Sequence, residues 1–131
     1  MATTTKNWTS QSQIIGTGDG WITLSGTTES FSSNIDLVTN GYEGAHVVVE
    51  VDYDASPTDQ VQISLYGSLD GSNYDDTPIW EIQGDNGIDP HQFSFIVKDL
   101  AHFRIGVKQT GSTDSHNARA YIRCWNYEST D

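Results

Sequence analysis

Apolar and polar residues alternate with a period of two along most of the chain. Ala45, Val47, Val49, Val51 and Tyr53 alternate with His46, Val48, Glu50 and Asp52, as in a strand with one face turned to a core. Val61, Ile63 and Leu65 alternate with Gln62, Ser64 and Tyr66. The same period recurs at Phe93, Phe95 and Val97, at Phe103, Ile105 and Val107, and at Ala120, Ile122 and Cys124. Shorter runs at 12–16, 20–24, 30–37 and 78–83 bring the expected number of strands to eight or nine. Turn formers stand between them: Gly18-Asp19-Gly20, Asn40-Gly41, Asp70-Gly71, Asp85-Asn86-Gly87 and Gly111-Ser112. No apolar run keeps a helical spacing, and Asp99–His102 has room for a single turn at most. This pattern predicts an all-β protein, a single antiparallel β-sandwich of jelly-roll-like type spanning 14–131. Residues 1–13, rich in Thr, Ser and Gln, read as an extended N-terminal arm before it.

Composition strengthens this picture. Ser, Thr and Gly far outnumber the better helix formers, and 131 residues suit one domain with a core of its own. Cys124 is the single cysteine, so no internal disulfide framework is available. The start lacks the apolar stretch of a signal peptide, and no run approaches the ~18 apolar residues of a membrane helix. Synthesis in the cytoplasm and no membrane partner are the expectations. A formal charge of −12 also disfavours nucleic acid, whose phosphates call for Lys and Arg. That charge is uneven. Up to residue 97, Lys6 faces fourteen acids, giving −13, whereas from Lys98 onward five Lys and Arg face four acids, giving +1. The basic residues are therefore expected to form a comparatively positive patch on an acidic body.

Candidate chemistry is sparse. His46, His91, His102 and His116 lack metal-ligand spacing, and no nucleophile elbow or phosphate-cradling loop is present. The expectation is a non-enzyme with no catalytic residues, no metal and no cofactor. The acid-bearing segments 70–76 and 85–89 lack calcium-loop spacing and read as hairpin turns. Trp21 and Trp80 fall in strand-like stretches, where large aromatics usually fill a core. On the last strand, Arg119, Tyr121, Arg123, Trp125 and Tyr127 share one face, while Ala120, Ile122 and Cys124 make the apolar one. Tyr, Trp and Arg are the residues enriched at contact centres. With Lys6 and Trp8 of the arm, this face is the expected partner-binding surface. Cys124, on the apolar side, is expected to be a buried, inert thiol.

The stretch Val61-Gln-Ile-Ser-Leu-Tyr-Gly-Ser-Leu-Asp-Gly-Ser-Asn-Tyr74 resembles hairpins of tailed-bacteriophage capsid decoration proteins, the head ornament or cement proteins of small β-sandwich type. The later Phe103-Arg-Ile-Gly-Val-Lys-Gln, its polar loop and the alternating last strand are similar to the same group. The resemblance implies a virion structural protein on the capsid surface that binds the major capsid protein, commonly as a homo-trimer. It carries over no catalytic residue. The alternative function is a carbohydrate-binding module or tail-associated receptor-binding domain using exposed aromatics.

Overall fold

A computed structural model describes residues 3–130. The alternation at 45–53 is realised in β6 (Gly44–Asp52), where Ala45, Val47, Val49 and Val51 point into the core and His46, Val48 and Glu50 lie half-buried on the other side. β7 (Val61–Ser68), β9 (His91–Lys98), β10 (His102–Gln109) and β11 (Asn117–Thr130) follow the same rule. The shorter elements are β1 (Thr3–Trp8), β2 (Ser12–Ile15), β3 (Ile22–Thr23), β4 (Ser30–Phe31), β5 (Ile35–Asp36) and β8 (Trp80–Gln83).

The pairing is nested. β3 pairs with β11, β4 and β5 with β10, β6 with β9, and β7 with β8, all antiparallel. The chain is thus a long hairpin folded over on itself, with its tip between β7 and β8. Two further pairings, β6 with β11 and β7 with β10, close it into two sheets. One runs β1-β11-β6-β9, with β2 and β3 also on β11. The other runs β4-β10-β7-β8, with β5 also on β10. This is an all-β, jelly-roll-like sandwich. Phe103, Ile105, Val107, Val61 and Ile63 of one sheet meet Val47, Val49, Val51, Ala118 and Ala120 of the other in a continuous core.

The described residues form eleven strands, where eight or nine were expected. One extra strand comes from the run 30–37. Ser32 takes the Ile105 N–H on its hydroxyl, at 3.0 Å, in place of its backbone carbonyl. That substitution interrupts the ladder and leaves β4 and β5 as separate pieces. The other comes from the expected arm, whose first two residues lie outside the described residues. From Thr3 on, the arm is not separate from the sandwich. β1 pairs with β11 from Thr3↔Thr130 to Trp8↔Trp125, and β2 pairs with it further along. Thr-rich sequence suits such a strand, because β-branched residues fit a pleated surface even when polar.

Candidate functional site

Antiparallel register places directly opposed residues on the same face. Trp8, Trp125, Gly44 and Lys98 therefore form one row across the outer face of the first sheet. Arg123, His46 and Ile96 form the next, then Tyr121, Val48 and Ser94, then Arg119, Glu50 and Gln92. Lys6 lies opposite Tyr127 at the far end. All seven residues expected to bind a partner stand on this one face. His46, Ile96 and Lys98 join them from β6 and β9; their membership depends on register, which no single strand displays.

The seven differ in what they offer. Arg119 donates from Nε to Glu50 at 2.5 Å and from Nη1 to the Asp19 carbonyl at 2.6 Å, with its guanidinium 4.1 Å above the Trp21 ring. Tyr121 donates to the Asp19 carboxylate at 3.0 Å. Burial, then the Asp19 carboxylate, pushes the Tyr121 hydroxyl above the ordinary phenol range. Gln13 completes the arrangement, donating to the Ile15 and Gly20 carbonyls and accepting from the Asp19 N–H. Arg119 and Tyr121 thus fasten the loop between β2 and β3 onto the sheet. Trp21 is 38% exposed and stacks on Arg119, so it does not fill the core; Trp80 does pack against the core, edge-on to Phe95.

Trp125 is 6% exposed although it lies on the outer face. Its ring lies across Gly44, where a side chain would collide with it, and Trp8 and Lys6 close over it at 5.2 and 4.4 Å. No open ring face is left there for a sugar. Trp8 is 44% and Tyr127 53% exposed, and Arg123 is exposed as well. Together with Lys6, His46 and Ile96 they form the open part of the face. Beside them, Gln11, His46, Val48, Tyr121 and Arg123 line a shallow depression of about 230 Å³.

The basic residues do not make one patch. Lys98, Arg119 and Arg123 share the first sheet's outer face with Lys6, whereas Arg104 and Lys108 alternate with the buried Phe103, Ile105 and Val107 on β10 in the second sheet. Alternation along each strand fixes the face, but the sheet a strand joins is settled by tertiary pairing. Cys124 is a buried free thiol, pushed up by burial, as expected.

A second cluster, unexpected from sequence, joins the loop before β7 to the loop before β11. His116 is fully buried; its Nε2 lies 2.5 Å from Asp59 and 3.4 Å from Asp114. The trio has the residue types of a metal site, but the ring's other nitrogen argues against one. His116 Nδ1 accepts the Asp54 N–H at 3.0 Å, which places the ring proton on Nε2, where a metal would have to bind. Ligating histidines donate from their second nitrogen. The trio is a hydrogen-bonded clasp, extended by Asp114 accepting the N–H groups of Thr58 and Asp59.

No family model and no curated protein matches the chain. Among solved structures it is similar to a chain of the acid-stable capsid of the Helicobacter pylori bacteriophage KHP30, at a TM-score of 0.51 and 10% identity, covering 98% of this chain and 99% of that one. The Yersinia pseudotuberculosis-derived mitogen is similar at a TM-score of 0.49 and 9% identity, covering 92% and 86%. At such identities the likeness is one of fold alone.

Proposed function

We propose that this is a non-enzymatic virion structural protein, made in the host cytoplasm, that binds the outer surface of an assembled phage capsid. There it stabilises or decorates the shell, as a trimer in contact with the major capsid protein. The observation that carries this reading is the open strip of Lys6, Trp8, Arg123 and Tyr127, with His46 and Ile96, on a body of charge −12. Exposed rings beside cations have the composition of a contact centre, and the charge contrast gives the molecule a preferred side for docking. A trimer multiplies contacts that are weak singly, because the second and third engage at high effective concentration. The fold shared with a chain of the KHP30 capsid is consistent with a virion setting.

Native mass in dilute solution, followed by co-sedimentation with capsids of the phage that encodes the protein, tests this. The expected result is a trimer that pellets with capsids, with Arg123→Glu binding about tenfold more weakly. A strict monomer that stays in the supernatant overturns the reading.

A further inference from the structure

On the outer face of the second sheet, away from the docking strip, Arg104 is held in an unusual way. Its guanidinium lies 3.8 Å from the centre of the Phe31 ring and 4.2 Å from that of Tyr74. Two aromatic rings thus pack against it. Among the described residues no carboxylate forms an ion pair with it, and its Nε is buried with no hydrogen-bond partner. A guanidinium stays charged throughout the accessible pH range and carries five N–H donors in one plane. Leaving a buried one, here Nε–H, without an acceptor is costly. With Nε enclosed, the terminal nitrogens are what remains for a ligand.

Arg104 lines a cup of about 440 Å³ whose walls include Glu29, Asn73, Asp75 and Asp76. Its shape depends on particular residues. Gly106, next on that face of β10, has no side chain, and Glu29 lies over it where a Cβ would collide. Tyr66 donates to both Glu29 oxygens, at 2.9 and 3.1 Å, and Asp75 accepts the Gly67 N–H at 3.1 Å. Tyr74 is fixed by donating to Asn34 at 2.7 Å and to the Gly71 carbonyl at 3.0 Å. The cup is therefore preorganised, with a fixed donor plate surrounded by oriented acceptors.

This polarity selects a ligand class. An anion suits the guanidinium but is repelled by three carboxylates, and a cation suits the carboxylates but is repelled by Arg104. Hydroxyl groups both donate and accept, so a polyol satisfies both sets at once. Phe31, at the rim and 42% exposed, adds an apolar edge for the C–H side of a ring. We infer that the Arg104 cup binds a single pyranose unit of a glycan, with the guanidinium donating to adjacent hydroxyl oxygens and the carboxylates accepting from hydroxyls. The site is separate from the docking strip, and its occupation does not depend on capsid binding.

The test uses the full chain and the methyl glycosides of glucose, galactose, mannose and N-acetylglucosamine as probes, with sodium sulfate and glycine as ionic and zwitterionic comparisons. One ring in a shallow cup is expected to bind at about 1 mM. Saturation-transfer NMR is expected to register at least one glycoside, and the same glycoside is expected to move the Arg104 Nε–Hε cross-peak. Arg104→Lys, which keeps the charge but loses the planar donor plate, is expected to abolish the saturation-transfer signal. Asp76→Ala, at an exposed rim position where folding is not at stake, is expected to weaken binding about fivefold. The inference is overturned if no glycoside registers, if sulfate or glycine moves the Arg104 cross-peak more than every glycoside, or if Asp76→Ala binds as the parent does.

Discussion

His116 Nε2 donates to Asp59 at 2.5 Å, joining two buried side chains that lie 57 positions apart. The bond ties the segment leading into β7 to the segment leading into β11, and so ties the two sheets together at one end of the sandwich. Gln109 extends the tie, donating to the Asp114 carbonyl at 2.8 Å and accepting the His116 N–H at 2.7 Å. Removing one member strands the others out of water. His116→Ala is therefore expected to destabilise the fold by about 3 kcal/mol, since it leaves the Asp59 side chain buried without its donor, while Asp114 keeps the Thr58 and Asp59 N–H groups. Urea denaturation checks this: the midpoint should fall while the slope stays constant.

Gly44 and Trp125 form a cross-strand pair in which the indole takes the place of the missing side chain. Gly44→Ala adds a methyl group where the ring lies, so the ring must swing out from under Trp8 and Lys6. The expected cost is about 1–3 kcal/mol, the range for inserting atoms into a packed site. Tryptophan emission should shift to the red as Trp125 meets water. An unchanged emission maximum and midpoint would show that the pair does not hold the ring in place.

Acid should loosen the protein through carboxylates that its turns keep ionised. The Asn73 and Ser72 N–H groups, then the Asn73 amide, hold the Asp70 carboxyl well below the usual carboxylate range. The Thr39 hydroxyl and N–H do the same for Asp36, and the Thr58 N–H leads for Asp114. A carboxyl whose folded pKa is depressed stabilises the fold above its unfolded pKa, about 3.9 for Asp, and loses that contribution as pH falls through the folded value. Melting temperature is thus expected to drop steadily as pH falls below about 4. Asp70→Asn keeps an acceptor for the turn N–H groups but does not titrate, so its melting temperature should fall less over the same range. Parallel acid profiles for parent and variant would contradict this.

These features were unequally legible in the sequence. Val47, Val49 and Val51 announced their burial because a period of two has a single physical meaning in a strand. Asp70 and Gly71 announced their turn because few residue pairs tolerate its backbone. The docking face was legible along β11, where Arg119 to Tyr127 share a side, but not across it, because register with His46 and Ile96 is set by distant pairing. For the same reason the fastening of Arg119 and Tyr121 to Asp19 was hidden, as was the cup around Arg104, whose walls come from β4 and the residue before it, β7, β10 and the loop after β7. Trp21 misled because its neighbours resemble a strand, yet β3 begins only at Ile22 and leaves the indole outside to stack on Arg119.

The first strand is where stability and docking meet. β1 lies at the edge of its sheet, held by one partner, and Trp8 and Lys6 are its contribution to the cover over Trp125. β2 and β3 pair with β11 independently, from Asn117 to Ile122, and β6 pairs with the other edge of that strand from Asn117 to Trp125. Deleting residues 1–8 is therefore expected to leave a folded sandwich, with its β-type circular dichroism retained apart from β1 and its partners on β11, and a loss of about 2 kcal/mol from the uncovered indole. It also bares the edge of β11 from Trp125 onward, an unpaired ladder that invites another chain. Sedimentation should show concentration-dependent association of the truncated protein, and a charge introduced there, as in Asn126→Lys, should suppress it. Loss of the folded spectrum on truncation would instead make β1 part of the cooperative core, and the strip that contains Lys6 and Trp8 would then be structural before it is a docking surface.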